Sequence, residues 1–217
     1  MNENTPRGTL VLLVRHGTTS TTGSLLPGRA PGLHLAESGR LQAQQVAERL
    51  GELHAVRPLA ALYASPLERT VETAAPSTER LGIPLTREDG LLECDVGEWT
   101  GQRLSDLSAL PQWRTVQSDP AAFTFPGGES FLDMQERMVA VTDRLRQLHP
   151  GGIAVCFSHA DPIRSLLSHA LTGDLSTMQR LSVAPGSISA IFHPEQGDPV
   201  VLATSTTSRP LSELAAH

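Results

Sequence analysis

TLVLLVRHG, residues 9–17, decides the architecture. A short unbroken run rich in Val and Leu, with no alternation of polar positions, suits a strand buried on both faces of a sheet. It stops at Arg15, His16 and Gly17. Polar chemistry is therefore delivered at the carboxyl end of a central strand.

The same pattern recurs outward from it. LAALYAS, residues 59–65, runs into Ser65 and Pro66 with Arg69 a helical turn later, and GIAVCFS, residues 152–158, runs into His159. Between these runs the spacing turns helical. Leu41, Gln45, Val46, Leu50 and Leu53 mark a helix over about 37–53, and Arg57 and Pro58 end it. Ser65 reads as an N-cap with Pro66 at the first helical position, opening a helix that Pro76 is expected to kink or interrupt. A stripe from Phe131 through Met138 to Leu148 marks a long helix over about 129–148, with Glu129 at its positive end. Asp161–Leu171 follows the third strand as a helix, and SISAIFH (187–193) and PVVLATS (199–205), separated by EQGD, read as a hairpin. Residues 17–35 must be loop, and residues 83–100 are irregular with a short edge strand at most. Strands alternating with helices predict one α/β domain over 1–217, a three-layer αβα sandwich with a mostly parallel central sheet. The Pro- and Ser-rich stretch around 94–128 reads as an excursion over the site.

Composition narrows the chemistry. The chain has 217 residues and a formal charge of -6, and every one of its 17 basic residues is Arg. Without a basic tract, nucleic acid is a poor partner. Without lysine, a Walker A loop and a Schiff base are excluded. Cys94 and Cys156 form no CxxC and read as reduced thiols, while the apolar run at 9–14 is too short to span a membrane. A cytoplasmic chain, monomer or homodimer, is expected.

In an open α/β sheet ligands bind beyond the carboxyl ends of the strands, so Arg15, His16, Arg69 and His159 are expected in one crevice. Guanidinium forks and helix N-termini suit a phosphate dianion, and a neutral imidazole is a competent nucleophile toward phosphorus. His16 is the candidate nucleophile, Arg15 and Arg69 the clamp, and His159 a further donor. The leaving oxygen needs a proton, for which Glu88, Asp89, Glu93, Asp95 and Glu98 are the carboxylates of the irregular segment. A metal held by His159 and Asp161 is disfavoured because the two arginines would repel a cation. No metal and no cofactor is expected.

These residues carry a resemblance. RHG at 15–17, GRAPGLHLAESGRLQA at 28–43, ASPLERTVETA at 64–74, LLECDVGEWTG at 91–101, FPGGES at 125–130 and SHADPIR at 158–164 stand in order along the chain. In this it resembles the histidine phosphatases, in the branch that also contains the cofactor-dependent phosphoglycerate mutases. The resemblance implies a phosphohistidine on His16, a phosphate pocket of Arg15, Arg69 and His159, and Glu93 as proton donor; by position alone, the neighbouring Asp95 and Glu98 are its conceivable substitutes. It also implies pocket roles for Gly17, for Thr22, where relatives often carry Asn, and for Arg29 as a substrate contact. Asp161 is unusual beside a phosphate and is expected to cap the following helix or pair with Arg164 or Arg29. Trp99 is expected to pack beneath the active-site loop.

Hydrolysis and phosphoryl transfer share this set. Only 35 residues separate Glu93 from Glu129, with Arg103 and Arg114 the basic residues between them, which is little charge for a second anionic group. The expectation is a phosphomonoesterase acting on a small phosphorylated metabolite. A phosphomutase, or a silent phosphate-binding module, is the alternative.

Overall fold

The computed structural model describes residues 8–208 and Leu211. Six strands, β1 (Gly8–Arg15), β2 (Ala61–Ala64), β3 (Leu85–Arg87), β4 (Ile153–Ser158), β5 (Ile188–Pro194) and β6 (Val200–Thr206), form one sheet in the order β3-β2-β4-β1-β5-β6. β3, β2, β4 and β1 run parallel, and the β5–β6 hairpin joins β1 through an antiparallel pairing. The α/β sandwich expected from the sequence is the fold observed.

The period of two along each strand explains the layers. Leu10, Leu12 and Val14 of β1 and Ile153, Val155 and Phe157 of β4 face one side. There they meet Val46, Leu50 and Leu53 of α1 (Glu37–Val56) and Ala74 of α2 (Glu68–Leu81). Val11, Leu13, Ala154 and Cys156 face the other side, against Met138, Val141 and Leu145 of one further helix and Ile163 and Leu167 of another. Two short helices, α3 (Leu104–Ser108) and α4 (Pro111–Ser118), precede those two, which are α5 (Phe131–Leu148) and α6 (Ala160–Thr172). Cys94 and Cys156 are free and buried. Among the described residues no helix is long and apolar enough to cross a membrane.

Three local expectations are corrected. Leu67, not Ser65, is the N-cap of α2, with extended backbone (φ -68°, ψ 142°) and no side-chain cap, because the chain bends at Pro66 and Leu67 before the helix begins at Glu68. Pro76 does not interrupt α2, which continues to Leu81 with Thr73, Ala74 and Ser77 buried on either side of it. α5 starts at Phe131. Ser130 caps it in a capping box with Asp133, which leaves Glu129 outside the helix. The 94–128 segment is more regular than expected, since α3 and α4 lie within it. It carries its own cluster, in which Trp99 packs on Phe123 and Phe125 with ring centroids 5.4 Å from each.

The loop after β1 is fastened to the start of α1 by close backbone approach. A Cβ on Gly39 would stand 2.1 Å from the Thr18 carbonyl oxygen, and one on Gly17 would stand 2.5 Å from the Gly39 carbonyl oxygen. Gln42 Oε1 accepts from Thr18 N at 2.8 Å and Thr18 Oγ1 at 3.1 Å. Since both contacts are backbone on backbone, no side chain can yield. Gly39→Ala is expected to destabilise the protein by about 1–3 kcal/mol, read as a Tm lower by ~2–4 °C for each kcal/mol in thermal unfolding. Ser38→Ala, on the exposed face of the same turn, should stay within about 0.5 kcal/mol.

Candidate active site

The carboxyl ends of β1, β2 and β4 meet at one edge of the sheet, where Arg15, His16, Glu93 and Ala160 line a cleft of about 460 Å³, while Arg69 and His159 are wholly buried and do not line it themselves. Arg15 lies in register with Ser158. His16 and His159 follow them, with ring centroids 5.2 Å apart and planes at 62°. Arg69 enters from the first turn of α2 and Glu93 from the segment after β3.

His16 Nδ1 lies 2.8 Å from the Gly17 carbonyl oxygen. A carbonyl only accepts, so Nδ1 carries the proton and Nε2 keeps its lone pair. Burial first, then the charges of Arg69 and Arg15, lower its pKa to about 3, against the Gly17 hydrogen bond. The ring is neutral throughout the physiological range. His159 Nε2 lies 2.9 Å from Ser65 Oγ, and burial, Arg69 and His16 hold its pKa well below the ordinary value.

Arg69 is wholly buried. Its Nη2 donates to the Gly28 carbonyl at 2.8 Å, while Nε and Nη1 have no partner. Arg15 Nη1 donates to the Val183 carbonyl at 2.6 Å and its Nε is likewise unpartnered, as is His159 Nδ1. Each buried donor left unsatisfied costs on the order of 1–3 kcal/mol. Three of these nitrogens are guanidinium donors of Arg15 and Arg69, a set whose chemistry suits an oxyanion.

Glu93 completes the set. Its Oε1 accepts from Cys94 N at 2.9 Å. Burial and then the Asp161 charge raise its pKa to about 7, against Arg69, the Cys94 N–H and Arg15. A carboxyl near that value can give a proton and take one back. Asp95 Oδ1 accepts from Gly97 N, Glu98 is exposed, and neither lines the cleft.

The described residues of 11–207 match the histidine phosphatase superfamily, branch 1. The chain belongs to that superfamily. It is 30% identical over 202 residues to phosphoserine phosphatase 1 of Hydrogenobacter thermophilus, covering 91% of this chain and 92% of that one. It is 29% identical over 164 residues to phosphoglycerate mutase-like protein 4 of Arabidopsis thaliana, covering 74% and 70%. The solved mycobacterial glucosyl-3-phosphoglycerate phosphatase has the same fold, with a TM-score of 0.81 at 24% identity over 92% of this chain and 100% of that one.

Other expected residues of this histidine phosphatase take different places. Thr22 lines the cleft, and its Oγ1 accepts from Thr19 N at 2.9 Å. Gly17 N donates to Thr73 Oγ1 at 3.0 Å, which ties the floor to α2. Asp161 pairs with Arg164, one of the two partners expected for it. Arg29 departs from its expected substrate contact. It is absent from the cleft lining because its guanidinium is spent within the protein, Nε on the Glu93 carbonyl at 2.8 Å and Nη2 on Glu129 Oε1 at 3.0 Å.

Arg29 thereby belongs to a clamp that the sequence did not announce. Arg137 Nη2 donates to the same Glu93 carbonyl at 3.1 Å and to Glu129 Oε1 at 2.7 Å, and its Nη1 donates to the Gly90 carbonyl at 2.9 Å. Two guanidiniums bridged by one carboxylate thus hold the backbone of Glu93. Ser65, which orients His159, was also missed. Its hydroxyl had a simpler reading as a cap, and nothing in the spacing relates Arg137 to Glu93. Glu129→Ala should loosen Glu93 without touching the unpartnered donors. Turnover of a phosphomonoester is expected to fall about tenfold or more, with affinity for inorganic phosphate, measured by calorimetry, within roughly twofold of the parent.

Proposed function

We propose that this histidine phosphatase is a metal-independent phosphomonoesterase acting on a small phosphorylated metabolite of the cytoplasm through a phosphohistidine on His16. The observation that carries the reading is the free Nε2 of a neutral His16 among unpartnered guanidinium and imidazole donors. In the first step Nε2 forms a bond to phosphorus while the ester P–O bond breaks, and Glu93 gives its proton to the departing oxygen. Arg15, Arg69 and His159 hold the equatorial oxygens as charge redistributes. In the second step Glu93, now a carboxylate, takes a proton from water as the water oxygen attacks phosphorus, and the N–P bond breaks to release phosphate and restore His16. Positive charge comes from the chain, so no divalent cation is needed. Among the described residues no group of three or more His, Cys, Asp or Glu is arranged to hold one.

Hydrolysis is favoured over transfer because neither Arg103 nor Arg114 of the excursion lines the cleft. A bisphosphorylated intermediate needs a second anion site to stay bound while it turns round. The mutase-like relative keeps transfer as the second reading, and the partition of labelled phosphate from 3-phosphoglycerate or 2,3-bisphosphoglycerate decides it. Mostly inorganic phosphate is expected, and predominantly isomerised product would reverse the assignment.

His16→Ala should abolish turnover and the acid-labile phosphoenzyme, and turnover by the parent should persist in excess EDTA. The acid form of Glu93 is needed in the first step, so its loss as pH rises through about 7 must slow esters with alcohol leaving groups. Nitrophenyl phosphate, whose leaving group needs little protonation, shares the substrate's own ionisation near pH ~6 but not this requirement. The ratio of kcat/KM for an alkyl ester to that for the nitrophenyl ester is therefore expected to be flat at low pH and to fall roughly tenfold per pH unit above 7. In Glu93→Gln the ratio should be low and independent of pH. An unchanged ratio in that variant would remove Glu93 from proton transfer.

A further inference from the structure

The wall of the cleft differs in kind from its floor. Above the phosphate set, α3 and α4 present Leu104, Trp113 and Gln117, the loop after β1 presents Leu25, and the turn after α6 presents Gln179. Trp113 stacks on Trp99 with ring centroids 6.2 Å apart and planes at 24°, which fixes the indole and leaves its remaining surface to the cleft. Among the described residues that line the cleft, Arg164 carries the one guanidinium beyond Arg15. It is paired with Asp161, and its Nη1 donates to Gln179 Oε1 at 3.2 Å.

Charge and shape then select the leaving group. A second phosphate or a carboxylate would meet an arginine already neutralised by Asp161, and would lose its water for no equivalent partner. A neutral ring has what this wall offers: an aromatic surface for its C–H face, and two primary amides that both donate to and accept from hydroxyls. The volume lies in the ~300–1,000 Å³ range of sites that enclose a whole small molecule. A three-carbon acid would touch few of these groups.

We propose that the alcohol released is an uncharged, hydroxyl-bearing ring, a sugar or a nucleoside, seated on Trp113 between Gln117 and Gln179, and that phosphorylated carboxylic acids and bisphosphates are poor ligands. This rests on the phosphomonoesterase reading of the same site. The test is calorimetric binding to His16→Ala, which cannot form the phosphoenzyme, with glucose 6-phosphate, adenosine 5′-monophosphate, glycerol 3-phosphate, 3-phosphoglycerate and inorganic phosphate. One ring ester or both should bind about tenfold or more tightly than glycerol 3-phosphate or 3-phosphoglycerate. The ring ester that binds separates sugar from nucleoside. Adding Trp113→Ala should bring it to the level of glycerol 3-phosphate with inorganic phosphate unchanged. If that variant does not fold, Gln117→Ala at an exposed position of α4 should weaken the ring ester about threefold or more. Asp161→Asn, by freeing Arg164, should move the preference toward 3-phosphoglycerate.

Binding of 3-phosphoglycerate as tight as that of both ring esters would overturn the proposal, as would a ring ester indifferent to both Trp113→Ala and Gln117→Ala. Turnover by the unaltered enzyme separates the two readings. Hydrolysis of nitrophenyl phosphate with a preference for 3-phosphoglycerate defeats this proposal alone, whereas ring-ester binding without hydrolysis of any ester defeats the phosphomonoesterase reading alone.

Discussion

A guanidinium held out of water, with two of its nitrogens unpartnered, sets the terms for everything around it. Burial lowers the pKa of Arg69, but a guanidinium stays charged all the same. Its charge acts on its neighbours, helping keep His16 and His159 neutral and lowering the pKa of Glu93 against the effects that raise it. Burial alone would push the Glu93 carboxyl up, and Asp161 pushes further in the same direction, while Arg69 and Arg15 pull it back. The result near 7 is a balance of opposed effects on one carboxyl. The same charges would favour an anion there, because a dianion would relieve the arginines and a cation would not.

The sequence made the fold and the floor legible for one reason. A central parallel strand must be apolar throughout, so the residue at which the apolar run stops marks the sheet edge, and three such stops carried Arg15, His16, Ser65 and His159 to one place. What could not be read was whatever depends on a side chain choosing between two good partners. Ser65 before Pro66 satisfies the pattern of a capped helix, yet its hydroxyl is needed by His159 in the fold. Glu129 suits a helix N-terminus, yet two arginines compete for it and Ser130 takes the cap. Arg29 lies in a stretch that resembles substrate-binding segments, and its contacts with Glu93 and Glu129 became visible only when residues 64 and 100 positions away were brought beside it. α3 spans five residues, too few for a period of 3.6 to declare itself.

The excursion joins these two levels through its base. Glu98 N donates to the Pro126 carbonyl at 2.8 Å and Glu129 N to the Asp95 carbonyl at 2.9 Å, so the two ends of the segment are bonded to each other beside Glu93. Gly97 and Gly128 permit that closeness, since a Cβ on either would come within 2.2 Å of a carbonyl oxygen on the opposite strand of the neck. Above the neck the segment packs on its own aromatic cluster, and Phe131 lies 5.2 Å from Phe125 between ring centroids.

That construction separates two requirements that would otherwise conflict. The position of the acid is fixed below the neck by Arg29, Arg137 and Glu129, none of which reaches the part of the wall that would face a leaving group. The wall is set above the neck by side chains such as Leu104 and Gln117, which take no part in the clamp. A change in Leu104 or Gln117 would therefore alter which alcohol fits without moving the carboxyl proposed to protonate it. Conversely, on the proposed mechanism, loss of the clamp would degrade proton transfer for every ester whose leaving group needs the proton, whatever lines the wall. Selection and chemistry in this chain share a cleft but are held in place by different contacts.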